Sequence, residues 1–219
     1  MQSAQTMMRG VLAVLVAGGV IPLAAQSGSW ELAGTGGFGF GTDASVTNPI
    51  GTATTGFQSG VAAGVALTQH LHRYISGEIR YTYRMNDLNV SGDGREATFD
   101  GQAHVVHYDV LFHLKERDHP VRPFLAAGGG VKLFRGTGDE VPYQPLGDYV
   151  LLSKTQQTLP MISFGGGTAV RLSDRMTLRV EVRDYLTPFP DEVIVPPPGS
   201  KVNGWLHDIV PLVSVAYVF

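Results

Sequence analysis

The chain has 219 residues, no cysteine and a formal net charge of −3. These values exclude a disulfide scaffold, a thiolate metal site, a cysteine nucleophile and a polycationic nucleic-acid surface. Charged residues make up only 16% of the chain, below the roughly 25% of a typical soluble domain.

Residues 1–25 read as a cleavable export signal, with Arg9 as its positive charge, an apolar run from Val11 to Leu23, and Ala24 and Ala25 as small residues at the cleavage site. The apolar run is too short for a membrane helix, which needs about 20 residues. No other long apolar run follows, so a membrane-embedded mature chain would not be helical. Residues 26–219 are expected to form one β-barrel domain.

From Ser29 onward the pattern has period two. It marks eight strands at about 29–41, 56–68, 74–84, 102–114, 122–135, 158–172, 176–186 and 205–219. The connections alternate in length. Three are short (QHLHR, KERDHPV and SDR), whereas those at 42–55, 85–101, 136–157 and 187–204 are long and rich in Gly, Pro, Thr and Asp. Tight turns at one end and long loops at the other characterise transmembrane barrels. The expected fold is therefore all-β: an eight-stranded antiparallel up-and-down transmembrane β-barrel.

The two faces of each strand differ in chemistry. In the third, Ile75, Ile79, Tyr81 and Tyr83 oppose Glu78, Arg80, Thr82 and Arg84. In the fourth, Val106, Tyr108, Val110, Phe112 and Leu114 oppose His107, Asp109 and His113. In the seventh, Leu178, Val180 and Val182 oppose Arg179, Glu181 and Arg183. The polar faces carry near-balanced charges: Arg80, Arg84, Lys132, Arg171, Arg179 and Arg183 against Glu31, Glu78, Asp109, Glu181 and Asp208. Such a set can pair across a narrow lumen, which offsets the desolvation of each ion. Glycines at 34, 36, 37, 39, 128–130 and 165–167 are expected to leave room for lumen arginines. Aromatic residues cluster at strand ends: Trp30, Tyr74, Phe112, Tyr217 and Phe219 at one end, and Phe40, Phe57, Tyr83, Phe134 and Trp205 at the other. They are expected to form two interfacial girdles.

The terminal segment IVPLVSVAYVF, with Val213, Val215, Tyr217 and Phe219 at alternating positions, is the strongest local signature. Pro211 interrupts it. With RLSDRMTLRVEVRDY (171–185) and PFLAAGGGVKL (123–133), it resembles the OmpA/OmpX-like small outer-membrane β-barrel superfamily over nearly all of 29–219. The resemblance implies a bacterial outer-membrane location with both termini periplasmic. It implies that the last strand is read by the barrel-assembly machinery, with periplasmic chaperones as transient partners. It also implies contact with outer-membrane lipid and lipopolysaccharide. No domain follows the barrel in this sequence, so tethering to the cell wall is not expected. A monomer is expected.

Chemistry-bearing motifs are few. Five of the seven histidines, His70, His72, His107, His113 and His119, fall near one end, and His72 and His113 can approach each other. No compact spacing such as HExxH occurs, so neither metal nor cofactor is expected. GTGGFG (34–39) matches GxGxxG but opens no helix, and reads as a small-residue strand. Neither a His-x-Ser pair nor a Gly-x-Ser-x-Gly elbow is present, so no catalytic residue is expected. The long connections carry acids, Asp43, Asp87, Asp93, Glu96, Asp100, Asp139, Glu140, Asp148, Asp191 and Glu192, and read as solvated extracellular loops.

The expected function is a non-enzymatic structural or surface-interaction role, with the lumen filled by charge. The alternatives are a narrow channel or small-ligand conduit, a lipid-modifying enzyme, and a soluble barrel of lipocalin type. The last requires the opposite polarity, with Val180, Val213 and Val215 inside and Arg80, Arg179 and Arg183 in water.

Overall fold

A computed structural model describes residues 29–139, 141 and 143–219. The export signal and Glu140 lie outside the described residues. All regular elements among those residues are strands: β1 (Trp30–Gly41), β2 (Ala44–Asn48), β3 (Gly51–Phe57), β4 (Gly60–His70), β5 (Ile75–Met85), β6 (Leu88–Gly92), β7 (Arg95–Phe99), β8 (Gly101–His113), β9 (Val121–Gly136), β10 (Leu151–Leu152), β11 (Gln156–Arg171), β12 (Met176–Thr187), β13 (Ile194–Val195), β14 (Lys201–Asn203) and β15 (Leu206–Val218).

Eight of these close a barrel in the ring order β1–β15–β12–β11–β9–β8–β5–β4. They correspond to the eight strands of the period-two pattern. The first strand pairs antiparallel with both β4 and β15, so no edge presents unpaired amides. Lipid imposes this condition, because it offers no hydrogen bonds to an open edge.

Polarity is inside-out. Val180, Val213 and Val215 are 52%, 51% and 47% exposed on the outer wall, whereas Arg80, Arg179 and Arg183 are 1%, 2% and 0% exposed in the lumen. Leu32, Ile79, Tyr108, Leu125, Ile162 and Phe164 extend the apolar wall around the ring. Soluble monomers rarely expose a continuous apolar belt. This arrangement overturns the lipocalin alternative and defines a transmembrane barrel.

Pro211 faces outward on β15 opposite Val182. Proline has no N–H to give, and the β1–β15 ladder skips from Gly37↔Leu212 to Phe40↔Ile209 at this point. A Cβ on Gly37 would lie 2.1 Å from the Pro211 carbonyl oxygen, so glycine permits the close approach. Gly34 and Gly36 face outward with nothing within 4 Å, so they do not make room for lumen arginines, contrary to expectation.

The long connections are not plain solvated loops. They carry seven short strands, five of which form a second sheet in the order β14–β2–β3–β6–β7, while β10 and β13 form a ribbon. Together they enclose an apolar core that includes Val46, Leu88, Val90, Val150, Val193 and Ile194. This cap sits over the end of the barrel opposite the tight turns. Its core runs down to Phe57 and Phe134, whose rings stack 4.9 Å apart. Several loop acids serve the cap: Asp93 accepts from Tyr149 Oη at 2.6 Å, Asp87 from Gly101 N at 3.1 Å, and Asp191 from Gln157 Nε2 at 2.8 Å. The bond to Asp93 holds the Tyr149 hydroxyl above the usual tyrosine range.

Candidate functional site

Alternation along each strand turns every second side chain into the lumen. On β5 this places Glu78, Arg80, Thr82 and Arg84 inward, and on β12 Arg179, Glu181 and Arg183. These strands stand four places apart in the eight-strand ring, on opposite walls. Their charges therefore meet across the barrel.

Glu78 is the hub. Its Oε1 accepts from Arg80 Nε at 3.0 Å and from Arg183 Nη2 at 3.2 Å, and its Oε2 accepts from Arg179 Nη1 at 2.7 Å and Thr68 Oγ1 at 2.8 Å. Glu181 accepts from Arg80 and, at 2.8 Å, from Arg183 Nε. Arg183 also donates to Asp109. A second cluster is built on Asp208, which takes both Arg84 Nε (3.1 Å) and Nη2 (2.8 Å) and accepts from Lys132 Nζ at 2.8 Å. Gly39 makes room for that fork, since a Cβ there would lie 2.1 Å from the Arg84 guanidinium carbon. Five acids (Glu31, Glu78, Asp109, Glu181, Asp208) thus face five bases (Arg80, Arg84, Lys132, Arg179, Arg183), all buried. Val105, Met161, Tyr185, Val210 and Leu212 form a buried apolar cluster in the same lumen.

His107 lies within the lumen, not with the turn-end histidines. Its ring meets Tyr185 edge-on at 5.2 Å, and its Nδ1 is 3.1 Å from Asp109 Oδ1 without hydrogen-bond geometry. Arg171 is exposed at the turn-end mouth, outside the buried network. Of the aromatic residues, Phe112, Trp205 and Tyr217 are exposed on the wall and Trp30, Tyr74 and Tyr83 are half-buried. Phe134 is no girdle residue, because it is fully buried under the cap with Phe57. Val213, Val215, Tyr217 and Phe219 all point outward.

At the turn end the lumen opens into a cavity of about 250 Å³ lined by Arg117, Arg122, Arg171, Arg179, His70 and His113, among others. Beside it runs a hydrogen-bonded chain: Glu31 Oε2 lies 3.4 Å from His70 Nε2, His70 Nδ1 is 2.9 Å from Ser76 Oγ, and Ser76 Oγ is 3.0 Å from His113 Nε2. The histidine that approaches His113 is therefore His70, with rings 6.3 Å apart, and not His72, which is exposed in the turn.

Sequence reasoning missed the roles of Ser76, Thr68 and Arg122, although strand alternation places each inward. It also missed the Asp184–His207 pair on β12 and β15, with Oδ2 and Nδ1 2.8 Å apart. Neighbouring strands, each with one polar residue on an otherwise apolar face, were the available signal.

Fold and site together define a small transmembrane β-barrel of the outer-membrane type with an ion-filled lumen. Three solved structures similar to the chain share this fold. The outer membrane protein OprG from Pseudomonas aeruginosa has a TM-score of 0.59 at 12% identity, covering 89% of this chain and 97% of its own. Neisserial surface protein A has a TM-score of 0.53 at 13% identity, covering 87% and 97%. The N-terminal β-barrel domain of Pseudomonas aeruginosa OprF has a TM-score of 0.50 at 12% identity, covering 88% and 100%. No family model and no curated protein matches the chain.

Proposed function

We propose that this chain is a non-enzymatic, non-conducting barrel of a bacterial outer membrane, with a structural or surface-interaction role carried by its folded cap. In this reading the cap faces outward and both termini face the periplasm. The observation that carries it is the occupied lumen: ten paired ionic side chains fill the bore and an apolar cap core roofs it. Eight-stranded barrels have an interior just wide enough for side chains, and the burial of these groups within it supports a closed bore. The cap exposes Ile50, Tyr143 and Leu151, which suits contact with another surface.

Planar-bilayer recording tests the reading. Purified protein is expected to give no steady conductance. A stable open level of nanosiemens scale would reject it in favour of a channel.

A further inference from the structure

We infer that the turn-end cavity is a binding site for a compact phosphate-type oxyanion, such as inorganic phosphate or a small phosphate monoester. Four arginines line it, Arg117, Arg122, Arg171 and Arg179, against two carboxylates, Glu31 and Asp174. Glu31 is already engaged by His70 at 3.4 Å and Arg179 at 3.5 Å. Arg117, Arg122 and Arg171 have no acid partner among the described residues. The positive surplus contrasts with the balanced lumen next to it.

Arg122 is the central observation. It is 8% exposed, its Nε has no hydrogen-bond partner, and its Nη2 reaches only the Arg73 carbonyl oxygen at 3.5 Å. A buried guanidinium without an anion is costly, and its one hydrogen bond, to the Arg73 carbonyl, brings no counter-charge. His113 Nδ1, also buried at this cavity, has no partner either. Arg122 pairs in register with Ala169 on β11, two residues before Arg171, so adjacent strands carry the two guanidinium groups to one mouth. Arg171 Nη2 donates to the Arg117 carbonyl, which ties the Arg117 turn to the same rim.

Planar guanidinium forks match the several oxygens of a phosphate better than a single carboxylate does. The volume, about 250 Å³, is below that of a drug-sized pocket, about 300–1,000 Å³, and suits a small anion.

The test titrates full-length protein, refolded in detergent or nanodiscs, with inorganic phosphate and with acetate. Calorimetry and NMR of ¹⁵N-labelled arginine and histidine side chains report binding. Saturable phosphate binding is expected, with shifts at Arg122 and His113, weaker binding of acetate, and at least a tenfold loss of affinity in Arg122→Gln and in Arg171→Gln. Arg95→Gln, in the cap, is expected to bind as the parent does. Should Arg122→Gln fail to fold, the exposed Arg171→Gln and the parent's side-chain shifts decide alone. Absence of saturable binding, unchanged affinity in Arg171→Gln, or acetate binding as tight as phosphate overturns the assignment.

Discussion

Arg80 on β5 and Glu181 on β12 pair across the full width of the barrel, and Arg183 on β12 returns the contact to Glu78 on β5. The two opposite walls are thus cross-linked by reciprocal ion pairs between buried side chains. Burying these ions is costly on its own, so removing one member of a pair, which leaves the other buried and unpaired, costs the most.

Asp208 gives the sharpest test of that asymmetry. Asp208→Asn leaves Arg84 and Lys132 buried without their acid and is expected to destabilise the barrel by about 3–5 kcal/mol. Lys132→Met keeps the Arg84–Asp208 fork and is expected to cost clearly less. Urea unfolding in lipid vesicles, read by heat-modifiable gel migration, ranks the two.

Gly39 and Gly34 lie on the same strand but face different surroundings. A methyl group at Gly39 meets the Arg84 guanidinium, whereas at Gly34 nothing lies within 4 Å. Gly39→Ala is expected to cost about 1–3 kcal/mol through overpacking, and Gly34→Ala to be near neutral. The same unfolding assay separates them.

Val180 lies midway along β12 on the outer wall. Val180→Arg is expected to cost about 2–4 kcal/mol in vesicles, because the charge would enter hydrocarbon. A neutral effect would place this face in water.

Leu88 is fully buried in the cap core. Leu88→Ala is expected to cost about 2–5 kcal/mol of cap stability while the barrel keeps its own. Hydrogen exchange should rise over 44–57 and 88–99 and stay unchanged in β12 and β15.

Absence of native cysteine makes sidedness easy to measure. Asp148→Cys in the cap and Ser173→Cys in a tight turn provide single thiols. An impermeant maleimide added to intact cells is expected to label the first and spare the second. The reverse pattern would invert the proposed orientation.

The barrel was legible because membrane strands must alternate over ten or more residues, and Glu78-Arg80 and Arg179-Glu181-Arg183 alternate cleanly with apolar neighbours. The cap was not. Its strands span two to seven residues, too short for a period to stand out, and two of the inward residues, Ala44 and Ala53, are small. One cue was available: Asp93 and Gly94, at φ 50° and 71°, form the two-residue Asp-Gly turn that joins β6 to β7. Phe134 was misplaced for a related reason. Its position at a strand end suggested an interface, but the cap, whose existence the pattern did not show, covers that end. The histidine pairing failed by one strand step, because His70 ends β4 on its inward face while His72 lies beyond in the turn.

The cross-barrel pairs have a consequence for biogenesis. Arg80 waits for its second acid, Glu181, 101 residues later in the chain, and Arg84 for Asp208, 124 residues later. A nascent barrel lacking its last hairpin would leave Arg84 with no acid partner and Arg80 with Glu78 alone, so partial insertion into the bilayer would carry an uncompensated charge. Closure by β15 both seals the wall and neutralises the bore, which favours near-simultaneous entry of all eight strands over stepwise addition.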